Sequence, residues 1–593
     1  MSLRRLAPPA AAMLPVLLLL LTATSARADL GVPGRAADPI VLTGADVPKL
    51  RGSDPDEVVA FSWDDRWIQV PVQVDERAVV DYGVVRQIGN GFDHEAYTDP
   101  GTFAGADPDP TLDAGDEIAF MAMDAGSRAD GVAGPDGVEP ATRTAVAIDD
   151  PLEPGTEHIV YLFRTDAGLD PAAGRSYVDY DFSLNSGDYR TSYDFDGVAN
   201  VEADAPPANP EDSTVTTSAY TQHLLARWVT DRMTLRTGAA PSPDILDGDK
   251  AQVSRGCGRS ELTFSRGGGG FIANISGPVR AIRSQIGANS GTYTQRDDIY
   301  YQRRQDTVTY LRVHAGIGQI SQFRDYSANA IGMSYRNSAY PAGVTIDGVP
   351  DAGIPVPAGS TVLQPATEWE QVSGPAGSLA VVTRVDTNLP GYTPGSFYRD
   401  QGSSPTFGQC GGYADALSYG SSGSEFTSNG GNTDPTLGAA SSLTATRSTF
   451  FDDPGAGAAE ATLRSAQIDA PLEATATGEG PVPARLAVSA EIPARAARVG
   501  RRVRINVTVG NDGDVAATGI EVCPRVKRRL GRAGRCKDLK RVGPQDESSI
   551  AIAVTPKRAA AKKRALRVEV RARSAGRKAT TAVRIRVHRD VGR

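Results

Sequence analysis

Apolar residues in this chain recur at every second position in short runs, and glycine or proline cuts the runs before they reach helical length. Ile68, Val70, Val72 and Val74 alternate with Trp67, Gln69, Pro71 and Gln73; Val503, Ile505, Val507 and Val509 alternate with Arg504, Asn506 and Thr508. A period of two puts one set of side chains on a buried face and the other on an exposed one, so the runs read as strands. With 63 Gly and 40 Pro among 593 residues, the breaks between them read as turns. The pattern predicts a mainly β, multidomain chain.

Charge divides that chain. From Pro481 to the end there are 29 Lys and Arg against 9 Asp and Glu, and the remainder carries 33 against 62, so a body of net −29 precedes a tail of net +20. Two Pro-rich stretches, APPANPEDS around 205–213 and ATATGEGPVPAR at 474–485, read as linkers. The expected organisation is a signal peptide at 1–28, an acidic N-terminal β domain at 29–205, a linker at 206–215, a large central antiparallel β-sandwich at 216–472, a second linker at 473–484 and a basic domain at 485–593.

The start of the chain has the form of an export signal. Arg4 and Arg5 precede an apolar run at 10–21, and Ala26-Arg27-Ala28 supplies a small-x-small cleavage site. The run is shorter than the roughly 20 residues a membrane-spanning helix needs. Removal is therefore expected over anchoring, with the product secreted or held at the cell surface and no transmembrane segment after cleavage. Four cysteines suit an oxidising compartment. Three pairings are possible in principle, and pairing within each region, Cys257 with Cys410 and Cys523 with Cys536, is the simplest. A zinc site is not expected, because CxxC spacing and nearby histidine are missing.

The hairpin signal is strongest at 58–63 and 66–74, flanking Asp64-Asp65, with Pro71 marking an edge or bulge. The best helix candidate is 220–233. The Gly/Ser-rich stretch 407–442 is too long for an ordinary turn and reads as functional or slack chain. The tail, with about seven short strands in roughly 110 residues, predicts an immunoglobulin-like sandwich.

In the tail, Val509-Gly510-Asn511-Asp512-Gly513 followed by Ala516-Ala517-Thr518-Gly519-Ile520-Glu521-Val522 resembles the bacterial cell-adhesion-related domain family. That resemblance implies an accessory module of a secreted protein. Pro71-Val72-Gln73-Val74-Asp75, with Leu112-Asp113-Ala114-Gly115-Asp116-Glu117-Ile118-Ala119-Phe120, resembles the leading β domain of some extracellular polysaccharide-acting proteins. Gly277-Pro278-Val279-Arg280 is similar to the opening of the β-supersandwich in galactose-mutarotase-like and polysaccharide-lyase domains. Both imply a carbohydrate context.

Candidate chemistry follows from residue type and spacing. Tyr310, Arg312 and His314 stand at alternate positions of one strand, a row that offers a base and a cation for lyase-type proton abstraction; an exposed polar sheet face is the plainer reading. Arg280, Arg283, Arg303 and Arg304 are candidates for bidentate contact with an anionic glycan. Asp107, Asp109, Asp113 and Asp116 make a dense acidic loop of hard oxygen donors that suits calcium, although Leu112 and Ile118 break the EF-hand pattern. No other cofactor is implied. Trp63, Trp67, Trp228 and Trp369 are candidates for sugar stacking. The cluster Lys557, Arg558, Lys562, Lys563 and Arg564 would suggest nucleic acid in a cytosolic protein; in an exported one an anionic envelope polymer is the expected counterpart and nucleic acid is not.

GxSxG, HExxH, P-loop and dinucleotide motifs do not occur. The expected function is therefore binding of extracellular polysaccharide or an anionic cell-envelope polymer without catalysis. A lyase-like polysaccharide-modifying enzyme and a structural envelope protein are the alternatives.

Overall fold

The computed structural model describes residues 30–588 apart from 82–92, 103, 186–209, 254–258, 262–269, 288–293, 313–317, 352–353, 355–364, 404–416, 431–440 and 493–496; for 252–253, 259–260 and 312 it gives the backbone alone. The signal segment, Cys257, His314, Cys410 and most of the Gly/Ser-rich stretch lie outside the described residues. Antiparallel sheets dominate the chain. Among the described residues no helix is long and apolar enough to cross a membrane.

At the N-terminal end, a five-stranded sheet runs in the order Glu473–Gly478, Thr144–Asp149, His158–Arg164, Val58–Trp63, Trp67–Val70. A three-stranded sheet runs Pro39–Thr43, Glu117–Met121, Gln73–Asp75. Val58, Ala60, Val146 and Leu162 of the first share one apolar cluster with Ile40, Leu42, Ile118 and Phe120 of the second. The predicted hairpin forms, with Trp63 opposite Trp67 and Ala60 opposite Val70. Its second strand then stops at Pro71, whose nitrogen has no hydrogen to give the ladder. The chain resumes as Gln73–Asp75 in the other sheet, so one alternating run serves both layers.

Two departures from the sequence reading concern this region. The stretch 473–484, expected as a linker, begins with the strand Glu473–Gly478, which pairs with Thr144–Asp149 and closes the N-terminal sheet with residues distant in sequence. Alternating Ala and Thr in EATATG are strand-compatible and small enough to lie on an edge. The stretch 206–215 contributes Ser213, Thr214 and Val215 to a strand, Ser213–Thr217, that pairs on one side with Val178–Asp181 and on the other with Tyr220–Ala226.

The helix expected over 220–233 is a hairpin. Tyr220–Ala226 and Val229–Leu235 pair antiparallel around Arg227-Trp228. Tyr220, Gln222, Leu224 and Ala226 are all buried, as period two requires, but so is His223 on the opposite face, and covering both faces erased the alternation.

The large central body sets a nine-stranded sheet, which contains Ala281–Ile286, Thr294–Tyr300, Arg304–Arg312, Ser442–Asp452, Gly377–Thr387 and Glu370–Gly374 in adjacent positions, against a five-stranded sheet containing Leu246–Val253, Gln319–Tyr326, Ser418–Thr427 and Thr393–Gln401. One end of the interior is aromatic: Tyr220 stacks on Phe451 with ring centres 3.7 Å apart, and Tyr335 on Tyr398 at 4.0 Å. The other end gathers Trp228, Leu311, Ile320, Phe426 and Leu443. Between them lies buried charge, with Asp249 facing Arg447 at 3.3 Å, Arg324 at 3.4 Å and Arg296 at 3.8 Å.

The C-terminal part is the expected two-sheet sandwich. One sheet runs Leu486–Glu491, Val503–Asn511, Asp546–Pro556, Gly531–Ala533. The other runs Ala497–Arg498, Arg577–His588, Ala565–Ser574, Ala517–Arg525, Lys537–Val542. Ile505, Val507, Val509, Ile520, Leu566, Val568 and Val570 fill its core. From 485 to the end the sequence holds no Phe, Trp or Tyr, so this core is wholly aliphatic. Cys523 and Cys536 form the expected disulfide, outside this core, between strand Ala517–Arg525 and the start of its neighbour Lys537–Val542.

Candidate functional site

The same alternation that buries Leu566, Val568 and Val570 turns Arg567, and on the neighbouring strand Arg584, outward. Strand Ala517–Arg525 leads into a turn in which Leu530 and Gly531 both donate their backbone N–H to the carbonyl of Lys527. Lys557 is fastened to that turn twice, by its backbone N–H to Leu530 and by its ammonium to the carbonyl of Arg528 at 2.9 Å. Two separate grooves result, one on either side of the turn, and together they make up a basic furrow in two arms. One arm, about 740 Å³, is lined by Pro524, Arg525, Val526, Arg528, Arg532 and Lys557 with Gly531 and Ala533. The other, about 490 Å³, is lined by Lys563, Arg567 and Arg584 with Leu530, Ala565, Ala582 and Val583. No carboxylate lines either arm, and among the described residues none of these seven cations is ion-paired. Unpaired cations at this density repel one another, and a polyanion would relieve that repulsion.

The arginines singled out from sequence for glycan contact are elsewhere and engaged. Arg280 is 1% exposed; its Nε donates to Asp75 at 2.8 Å and its Nη2 to Glu117 at 2.7 Å. Arg283 is 0% exposed and grips Glu211 with two bonds of 2.8 and 2.6 Å. Arg303 pairs with Asp453, and Arg304 with Asp306 and Asp38. A buried charge needs a buried partner, and in this chain the partners are internal carboxylates. Arg280 and Arg283 are thus ties within the fold and have no surface to offer a glycan, which corrects that expectation.

The three stretches that carried the carbohydrate resemblance in the body meet at one of these ties. The Gln73 side-chain oxygen accepts the backbone N–H groups of Val279 and Arg280, while its amide donates to Asp75 at 2.7 Å. Burial raises Glu117, but Arg280 and Arg77 outweigh it and hold the carboxyl below its ordinary range. Gln73 and Asp75 were not singled out as site residues, since nothing in a lone polar residue at a strand position announces its partner.

Tyr310 is half-buried, its ring 6.0 Å from that of His94 and steeply inclined to it. Burial, then Asp297, pushes its hydroxyl up to about 12, and burial followed by Arg77 lowers His94. The side chain of Arg312 and the whole of His314 lie outside the described residues, so the expected row is represented by Tyr310 alone.

In the acidic loop the carboxylates brace their own turns: Asp116 accepts from the backbone of Arg77 and Asp113, Asp113 from Gly115, Asp109 from Thr111 and Asp107 from Asp109. Among the described residues, no three of the loop carboxylates bring oxygens within 4.8 Å of one another; the group that does so is Glu521, Cys523 and Cys536, whose sulfurs are bonded to each other. Glu76, which sequence reading passed over, joins the loop. Its carboxyl is pushed up to about 7 by burial and then by Asp116, Asp107, Asp113 and Asp109.

Of the tryptophans, Trp228 and Trp369 are buried at 2% and 3% exposure. Trp63 and Trp67 are half-buried, where the N-terminal sheet meets the basic sandwich.

No family model matches the chain, and no curated protein matches it. The solved structures similar to it include the CARDB domain of a Pyrococcus furiosus protein in complex with di-metal ions, with 15% identity over 18% of this chain and 88% of that one at a TM-score of 0.13. A putative aldose 1-epimerase from Escherichia coli K12 shows 10% identity over 40% of this chain and 96% of that one at a TM-score of 0.22. The N-terminal domain of a Streptococcus gordonii adhesin shows 9% identity over 58% and 95%, at 0.13. These scores are too low for any of the three to carry an argument about this chain.

Proposed function

We propose that the protein is exported and acts without catalysis as a binder at the cell surface, the basic sandwich gripping an anionic cell-envelope polymer or acidic polysaccharide. The observation that carries this reading is the furrow of seven cations with no carboxylate in its lining. Arg forks suit phosphate and carboxylate alike, and the Lys ammonium groups add charge without demanding geometry. This part of the chain has no Phe, Trp or Tyr to serve as a base-stacking platform, and charge is the means of recognition.

Fractionation of cells making the full-length protein tests the reading. Wild type is expected with the cells and released by high salt, whereas a variant with Arg528→Glu, Arg532→Glu and Lys557→Glu is expected in the medium. Equal retention of the two would contradict it.

A lyase reading draws on one observation, the inclined contact of His94 with Tyr310. Unsaturated products from a uronic-acid polymer, lost in His94→Ala and Tyr310→Phe, would replace the binding-only account.

A further inference from the structure

The basic sandwich is seated against the N-terminal sheet through few but specific contacts. Gly134 donates its backbone N–H to Asp514 at 3.0 Å, Gln545 donates to the carbonyl of Gly134 at 2.9 Å and Arg485 to that of Gly131 at 3.4 Å. Beside these contacts the two parts enclose a groove of about 620 Å³. Trp63, Trp67, Val132 and Pro135 form its apolar wall. The two indole rings meet edge to face at 5.1 Å. Trp67 is fixed by its Nε1 donating to the carbonyl of Ala133 at 2.7 Å and by Arg143 lying 5.4 Å over its ring.

The polar lining differs from that of the furrow. Asp136, Asp512, Asp546 and Glu547 stand with Arg66 and Arg485, all six exposed, four negative charges against two positive. A lining that holds both carboxylate acceptors and guanidinium donors suits hydroxyl groups, each of which is donor and acceptor at once. An indole ring suits the C–H face of a sugar ring. The surplus of two negative charges opposes a uronate or a phosphate, and the two guanidiniums oppose a strongly basic peptide.

We propose that this seam is a second binding site, for a non-acidic saccharide with neutral or amino-substituted units, separate from the basic furrow and of opposite charge preference. The apolar wall comes from one part of the chain, at Trp63 and Trp67, and part of the charged lining from the other, at Arg485, Asp512, Asp546 and Glu547. A saccharide bound there touches both parts and reinforces their contact.

Tryptophan emission of the full-length protein reports on the site directly, because the chain has four tryptophans and Trp228 and Trp369 are buried. A neutral β-linked glucan hexasaccharide and a glucosamine hexasaccharide are expected to shift the emission saturably, and an oligogalacturonate is not. Trp63→Ala is expected to weaken binding by about tenfold, the loss of one stacked ring. Asp546→Lys, at the exposed first residue of strand Asp546–Pro556, is expected to weaken it with an unchanged melting temperature, which keeps the test sound if Trp63→Ala unfolds the sheet. No shift with either non-acidic hexasaccharide, equal binding of oligogalacturonate, tighter binding of an arginine-rich peptide, or indifference to Asp546→Lys would each overturn the proposal. Since the furrow is untouched by these variants, retention on cells should persist whichever way the result falls.

Discussion

Arg280 and Asp75 form an ion pair at 2.6 Å whose two side chains are almost wholly withdrawn from water, one directly before strand Ala281–Ile286 of the central nine-stranded sheet and the other on the small N-terminal sheet. Burial raises Asp75, while Arg280 and Gln73 pull the other way. Arg280 also binds Glu117, so a single guanidinium satisfies two carboxylates from two strands. The joint between the two parts of the body is electrostatic at its centre.

Removing the guanidinium leaves two carboxylates without their main partner. Arg280→Ala is therefore expected to destabilise the protein by about 3–5 kcal/mol, the cost of breaking a buried pair from one side. Urea unfolding followed by tryptophan emission measures it. A cost below about 1 kcal/mol would show that water reaches the pair.

Gly277 lies at the same joint, and a Cβ built there would come 2.1 Å from the side-chain oxygen of Gln73. A free glutamine would swing aside. This one accepts two backbone N–H groups and donates to Asp75, so it has nowhere to go. Gly277→Ala is expected to cost about 1–3 kcal/mol by overpacking. In the Gln73→Ala background the added penalty should shrink, and a double-mutant cycle by urea unfolding measures the difference.

Glu76 makes stability depend on pH. Its carboxyl, ordinarily at 4.5, is raised to about 7 in the fold, so the native chain holds the proton longer than the unfolded one. Its contribution favours the fold below 4.5 and is lost as pH climbs through about 7. Between about pH 5 and about pH 8 the melting temperature of wild type should fall relative to Glu76→Gln.

The Cys523–Cys536 bond closes a loop with a sequence separation of 13. In the chain-entropy model that is worth about 3 kcal/mol, and Cys523→Ser with Cys536→Ser should lower the unfolding free energy of the basic sandwich by this order. Guanidinium unfolding with and without reductant gives the same comparison without mutation.

What could be read from the sequence depended on whether a strand has one covered face or two. Val503–Asn511 keeps Arg504 and Asn506 in solvent opposite Ile505 and Val507, and its alternation was plain. Tyr220–Ala226 is covered on both sides, lost its period and resembled a helix. Arg283 shows the corresponding limit for function, because an arginine that will be buried against Glu211 looks in sequence like one that will reach a ligand. Lys557 and Lys563 stood out because a run of like charges has no internal partner nearby, and the fold leaves them exposed on the furrow. The strand at 473–478 was hidden because its partner, Thr144–Asp149, lies far away in the chain.

The most direct test of the account is the affinity of the intact protein for a linear polyanion, polyphosphate in one arm and a polyuronate in the other, measured across a range of salt. Charge-led recognition predicts that binding weakens steadily as salt screens the furrow, and that Arg528→Glu with Arg532→Glu and Lys557→Glu abolishes it at every salt concentration. Binding that ignores salt, that survives the three reversals, or that favours single-stranded DNA of equal charge over both polyanions would contradict it.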